Sequence, residues 1–268
     1  MTTMSATLTT FERPIGKMLS IYYKEAKYEF LKNLRLRMYS VSTIFFPVMF
    51  YVLFGLVLGR QNTSGLNMAK YLIPTYGTFG VMGASLFGTA AGLAAERGLG
   101  WLQVKRASPM PPSAYFAGKV VMSMIFSCAV VLILLTLGVT LGGVRLPVLD
   151  AVKLVATLVV GSLPFCAMGL ALGYFLGPNS APATINMIYL PLSFCSGLWV
   201  PLMFLPKVMR MLAEFLPPYH LSQLALGIVG AGRQESNLVH WGVLIVFSLI
   251  CLGVARVGFQ RDEGKMYG

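Results

Sequence analysis

"ERGLGWLQVKRASPMPPSAYFAGK", residues 96–119, stands between two long apolar stretches. It holds four basic residues, Arg97, Lys105, Arg106 and Lys119, with Pro109, Pro111, Pro112 and the large aromatic Trp101. The chain around it has 268 residues, of which 56% are hydrophobic and only 11% charged. Soluble domains sit nearer 45–50% apolar and about 25% charged. A chain this poor in charge cannot cover its apolar surface in water, so the composition points to an all-α polytopic membrane protein. The quoted stretch then reads as a polar connection between two membrane helices.

Working outward, six apolar segments reach the roughly 20 residues a helix needs to cross a bilayer. They are 41–59, 71–95, 115–141, 154–177, 183–203 and 239–257. A further apolar stretch, 206–230, is broken by Pro206, Pro217 and Pro218 and carries Lys207, Arg210 and Glu214. It predicts short helices that re-enter the membrane surface between spans five and six, within a region of about 198–230. Fourteen of the 21 Lys and Arg residues fall on the side that holds both termini and the 96–119 connection. Both termini are therefore expected in the cytoplasm of a bacterial-type inner (plasma) membrane. The formal charge of +12 is read as a topology signal, and no soluble basic face is left for nucleic acid. "MTTMSATLTT" lacks a basic n-region and apolar core, so the first span is expected to be its own targeting signal. Cys128, Cys166, Cys195 and Cys251 are scattered singly through the spans with no metal-ligand spacing.

Residues 1–38 precede the first span. Within them Ile15, Leu19, Tyr22, Ala26, Phe30 and Leu34 recur at spacings of three and four, with Pro14 placed to begin a helix. Lys17, Lys24, Lys27, Lys32 and Arg35 lie largely off that stripe. This predicts an amphipathic helix with a basic face along the cytoplasmic leaflet. Across 97–107 no proline interrupts, so a helix of about three turns is expected, stopped by Pro109. Leu99, Leu102 and Arg106 would share one face and Trp101 and Lys105 another.

Glu96, Arg97, Gly100, Leu102, Ala107, Ser108, Pro109, Gly118 and Lys119 resemble the "ERE-x-G-T-L…(S/T)P…GK" pattern of ABC-2 type exporter permeases. "FCSGLWVPLMFLPKVMRMLAEFLPPYHLSQLALGIV", residues 194–229, is similar to that family's "SG-x-x-x-P…LP…-x-P" region. Gly98 stands where an acidic residue is usual, Trp101 near the usual Thr, and Lys105 and Arg106 where apolar residues are common. The resemblance implies a six-span transmembrane domain over 39–260 and a short cytoplasmic tail, 261–268. It implies that 96–109 is a coupling helix seated in a groove of a separate ATPase. Glu96, Arg97, Gly100, Trp101, Leu102, Lys105, Arg106 and Pro109 would carry the contact. It further implies two ATPase copies and a second permease copy, a homodimer or close heterodimer, within membrane lipid.

No Gly-Lys pair is followed by Ser or Thr, so the chain carries no phosphate-cradling loop of its own. It is expected to be non-catalytic and to bind no cofactor or metal, with ATP and Mg on the partner subunit. Along the path, Asn186 in the fifth span and Glu214, His220 and Gln223 near the outer rim are the polar candidates to touch cargo. So few intramembrane charges suit amphipathic, drug- or lipid-like cargo. A proton-coupled secondary transporter or channel without an ATPase would want buried acids or broken-helix repeats. An intramembrane hydrolase would need a catalytic set that His220 and His240 alone do not make.

Overall fold

The computed structural model describes residues 15–59, 67–108, 110–233 and 235–264. Among them the regular structure is all helical. Helix α1 (Ile15–Arg35) leads into α2 (Arg37–Val57), whose last two turns widen to π-helical geometry over Tyr51–Val57. Then come α3 (Met68–Gly98), α4 (Trp101–Ala107), α5 (Pro112–Thr140) and α6 (Val148–Phe175). The last four are α7 (Ala181–Cys195), α8 (Lys207–Ala213), α9 (Pro217–Ile228) and α10 (Asn237–Gly264).

Five of these, α2, α3, α5, α6 and α10, are long and apolar enough to cross a membrane. The fifth apolar segment expected over 183–203 is helical only through its 15-residue α7. That length is about 22 Å, short of the roughly 30 Å hydrocarbon layer. The chain leaves the helix at Cys195, where Leu198 N–H donates to Ser193 O (3.1 Å), and continues as a short 3-10 turn, Leu202–Phe204, behind Pro201. The 206–230 region is resolved into α8 and α9, whose N-terminal turns begin at or just after prolines.

Helix α3 is the central pillar. Of its most apolar window 78% is buried inside the chain, against 22% for both α2 and α10. The outer two therefore turn their apolar faces outward, as a lipid-facing helix does. Ile73, Tyr76, Phe79, Met82 and Leu86 of α3 pack with Val130 and Leu134 of α5, Phe165 of α6 and Leu221 of α9. A kink at Gly161–Ser162 divides α6, two residues before Pro164, which cannot donate to the helical ladder. Beyond this kink the second half of α6, Leu163–Phe175, packs against the π-helical turn Phe87–Ala91 of α3. A Cβ on Gly169 would lie 1.8 Å from Thr89 Oγ1, so the two helices meet here only because residue 169 has no side chain.

Candidate functional site

The 96–108 stretch is built on a turn at Gly100. Helix α3 ends with Leu99 N–H donating to Ala95 O (3.0 Å) and Gly100 N–H to Arg97 O (3.1 Å). Gly100 takes φ +74°, and the chain restarts as α4. The single helix expected over 97–107 is therefore two helices meeting at a left-handed glycine, a conformation that suits glycine far better than other residues. Leu99 and Leu102 consequently do not share a face. Leu102 is buried against Leu93 and Tyr115, while Leu99 is 74% exposed. Trp101 (55%) and Val104 (61%) are exposed beside it. Pro109 and the Arg106 side chain lie outside the described residues, as does Pro14.

Beneath this exposed apolar edge is a buried ionic hub. Lys119 of α5, with no exposed surface, sets its Nζ 2.9 Å from Glu29 Oε1 and 3.3 Å from Glu96 Oε2. Lys32 pairs with Glu29 at 2.7 Å and also with Glu96. Tyr115 donates its hydroxyl to Glu96 Oε2 (2.5 Å), and Asn33 Nδ2 donates to Glu29 O (2.9 Å). Two carboxylates thus face two ammoniums, and the buried charges balance. Burial alone would raise the Glu29 carboxyl, but the Lys119 and Lys32 ammoniums together outweigh it and hold the pKa below the usual 4.5. Burial likewise works against the Lys32 ammonium, and the carboxylates of Glu29 and Glu96 outweigh it, raising its pKa. At the rim Lys105 pairs with Glu25 (2.5 Å), its Nζ 4.5 Å above the Tyr115 ring.

Arg97 faces the other way. Its Nη1 donates to the carbonyls of Gly173 (3.0 Å) and Tyr174 (2.7 Å) at the C-terminal end of α6. Its Nε and Nη2 donate to Asp262 Oδ1 of α10 (3.2 and 2.8 Å). The guanidinium satisfies late carbonyls of one helix and ties them to a second. Adjacent residues, Glu96 and Arg97, so anchor the end of α3 to opposite walls of the bundle.

These contacts revise the sequence expectations. Arg97 and Lys105, two of the expected contact residues, turn inward to carboxylates of this chain. On α1 the apolar stripe is buried only in its middle: Leu19 and Leu34 are exposed, while Tyr22, Ala26 and Phe30 are partly buried, with Phe30 against Phe126 of α5. The polar Glu29 and Asn33 are the most deeply buried of the helix's described residues. Pairing with Lys119 and Lys105 draws Glu29 and Glu25 inward. Lys17, Lys24, Lys27 and Arg35 are exposed, and Lys32 belongs to the hub.

Of the polar path candidates, Asn186 is exposed on α7, apart from the rest. Glu214, His220 and Gln223 come together at the far end of the molecule. Arg233 reaches Glu214 Oε1 (3.1 Å) through Nη1, and its backbone N–H donates to Gln223 Oε1 (3.1 Å). Glu25, Glu29, Asn33, Tyr115, Asp262 and Arg233 were not singled out from the sequence. Only the four-residue spacing of 25, 29 and 33 signalled a common face. Among the described residues no group of three or more His, Cys, Asp or Glu could hold a metal ion, and all four cysteines are free thiols.

Comparison with known proteins agrees with this architecture. A Bacillus subtilis (strain 168) protein named "Putative transport permease YvfS" is 22% identical over 246 residues, covering 91% of this chain and 99% of that one. The sequence model of the ABC-2 type transporter family matches residues 25–229, from the rim of the ionic hub to the end of α9. With that match over most of its length, and with its multi-pass helical bundle, the chain belongs to the ABC-2 type transporter family.

Proposed function

We propose that this chain is the non-catalytic membrane half of an ABC exporter, driven by a separate ATPase docked on the 96–109 segment. The observation that carries this reading is the exposed edge of Leu99, Trp101 and Val104, mounted on the buried Glu29–Glu96–Lys119 hub. An apolar edge with a large aromatic, held rigidly at the end of a membrane helix, suits a protein groove. The active assembly has two ATPase copies, carrying ATP and Mg, and two permease copies. In each permease α7 and the stretch 196–203 after it run along α3, with Tyr189 donating to Phe79 O and Tyr76 donating to Trp199 O. They make a sixth crossing, so both permease termini lie in the cytoplasm. Closure of the ATPases pushes α4, and α3 and α5 tilt with it, opening the dimer path alternately to the two sides. The short helices α8 and α9 re-enter the membrane from the outer side. Amphipathic drug- or lipid-like cargo fits a cleft of about 330 Å3 lined by Phe54, Leu58, Leu72, Trp199 and Phe204, next to the stacked Phe79–Tyr189 pair.

The test is co-purification of the chain with its ATPase and transport by the reconstituted complex. Trp101→Ala should weaken assembly by about 1–3 kcal/mol, roughly 5- to 150-fold. Because the exposed contacts are apolar, the loss should change little with ionic strength. Wild-type assembly and transport in Trp101→Ala and in Val104→Ser would refute docking on this edge. Transport of cargo by the chain without any ATPase would support a secondary carrier instead.

A further inference from the structure

The end of the bundle remote from Glu96 holds the chain's only two histidines, and both are buried. His220 lies in α9 and His240 in the first turn of α10. Their Nδ1 atoms are 2.9 Å apart. His220 Nε2 is 2.9 Å from the backbone carbonyl of Glu214, and His240 Nε2 is 3.5 Å from Glu235 Oε2. We propose that the His220–His240 pair is a proton-operated clasp that joins α9 to the last span and opens when both imidazoles are protonated.

The proton positions follow from what each partner can do. A carbonyl only accepts, so His220 Nε2 carries a hydrogen. In neutral His220, Nδ1 is then an acceptor, and His240 Nδ1 must be the donor. That leaves His240 Nε2 as a lone pair facing the Glu235 carboxylate. One proton taken from water onto that nitrogen breaks no bond. It completes a chain from Glu214 O through both rings to Glu235. A second proton can go only to His220 Nδ1. Two N–H groups would then face each other between two cations, and the contact between α9 and α10 would be lost.

The surrounding charges support the first step and oppose the second. Arg233 faces Glu214 (3.1 Å) and Glu235 (3.7 Å), so the cluster carries one uncompensated negative charge while both rings are neutral. The first proton balances it. Tyr219 of α9 donates its hydroxyl to Glu235 (3.2 Å). Tyr71 of α3 sits within the influence of Arg233. From α6, Asp150 and Lys153 pair with each other at 3.6 Å. Burial holds the His220 imidazole below its usual 6.5. A histidine depressed in the folded state is neutral there, so its contribution is present above about pH 6.5 and is lost as pH falls toward the folded value. The clasp depends on neither the cargo nor the ATPase.

Two measurements decide it, both on the full chain in lipid nanodiscs. In the 15N-histidine spectrum at about pH 8, one ring should carry its proton on Nε2 and the other on Nδ1, with coupling across the Nδ1–Nδ1 bond. Two Nε2–H rings, or no coupling, would overturn the proposal without any variant being needed. In the second, the thermal midpoint of the wild type should fall between about pH 6.5 and pH 5. In His240→Phe that fall should shrink by at least half. Equal pH slopes in the two proteins would also overturn it.

Discussion

Lys119 has no exposed surface, and its ammonium lies against two carboxylates from two other helices. Removing one partner of such a cluster leaves a buried charge unpaired, at a cost of about 3–5 kcal/mol. Lys119→Met should lose that much near neutral pH, read as a drop in the thermal midpoint of the purified chain. The sign with pH is specific. Without Lys119 the two carboxylates repel, so protonating one relieves the strain, and the defect should narrow on acidification. Lys119→Met/Glu29→Gln should recover most of the loss. The wild type behaves oppositely, because Glu29 titrates below its usual value: its stabilisation is present above about 4.5 and lost as pH falls below it. A Lys119→Met midpoint unchanged at every pH would remove the hub from the account.

At the scale of the element, the turn at Gly100 decides where Trp101 points. Gly100→Ala must place a side chain at φ +74°, a left-handed conformation that costs a non-glycine residue roughly 1–2 kcal/mol. If the backbone relaxes toward a continuous helix, α4 is re-aimed. Gly100→Ala should therefore reduce ATPase co-purification more than it reduces the thermal midpoint; equal small effects would mean that the turn only ends α3. This turn also shows what the sequence makes legible. The helical membrane bundle follows from apolar run length, and the exposed Trp101 edge lies where the polar interruption predicts a contact. The break at Gly100 is harder to see, since a lone glycine is tolerated within a helix. Glu25, Glu29 and Asn33 recur every four residues, but charges on an amphipathic helix ordinarily face water. What turns the two carboxylates inward is Lys119 for Glu29, 90 residues further on, and Lys105 for Glu25, and no local pattern carries those partners. The expected fifth span is helical over only part of its length for a related reason: run length counts apolar residues, and the chain stays apolar past Cys195 after the helix has stopped.

For the whole molecule, the distribution of charge and the outward apolar faces of α2 and α10 set the chain in a bilayer. A cysteine at Ser108 should react with an impermeant thiol reagent only after the cells are permeabilised. One at Gly65, three residues ahead of α3 in the sequence, should react in intact cells, both in a background freed of the four native cysteines. The reverse pattern would put both termini outside.

Glu96 and Arg97 together form a fulcrum. One residue is bonded toward α1 and α5, the next toward α6 and α10, and the 31-residue α3 extends beyond them. That helix is about 46 Å long. A torque applied at the Trp101 tip cannot be absorbed by a loose joint, because both sides of the pivot are braced. It must appear as rotation of the long arm. Tilting such an arm by about 5° moves its far end by about 4 Å, close to the width of an alkyl chain, so in the proposed assembly a displacement too small to disturb the docked surface would become an opening at the opposite membrane face.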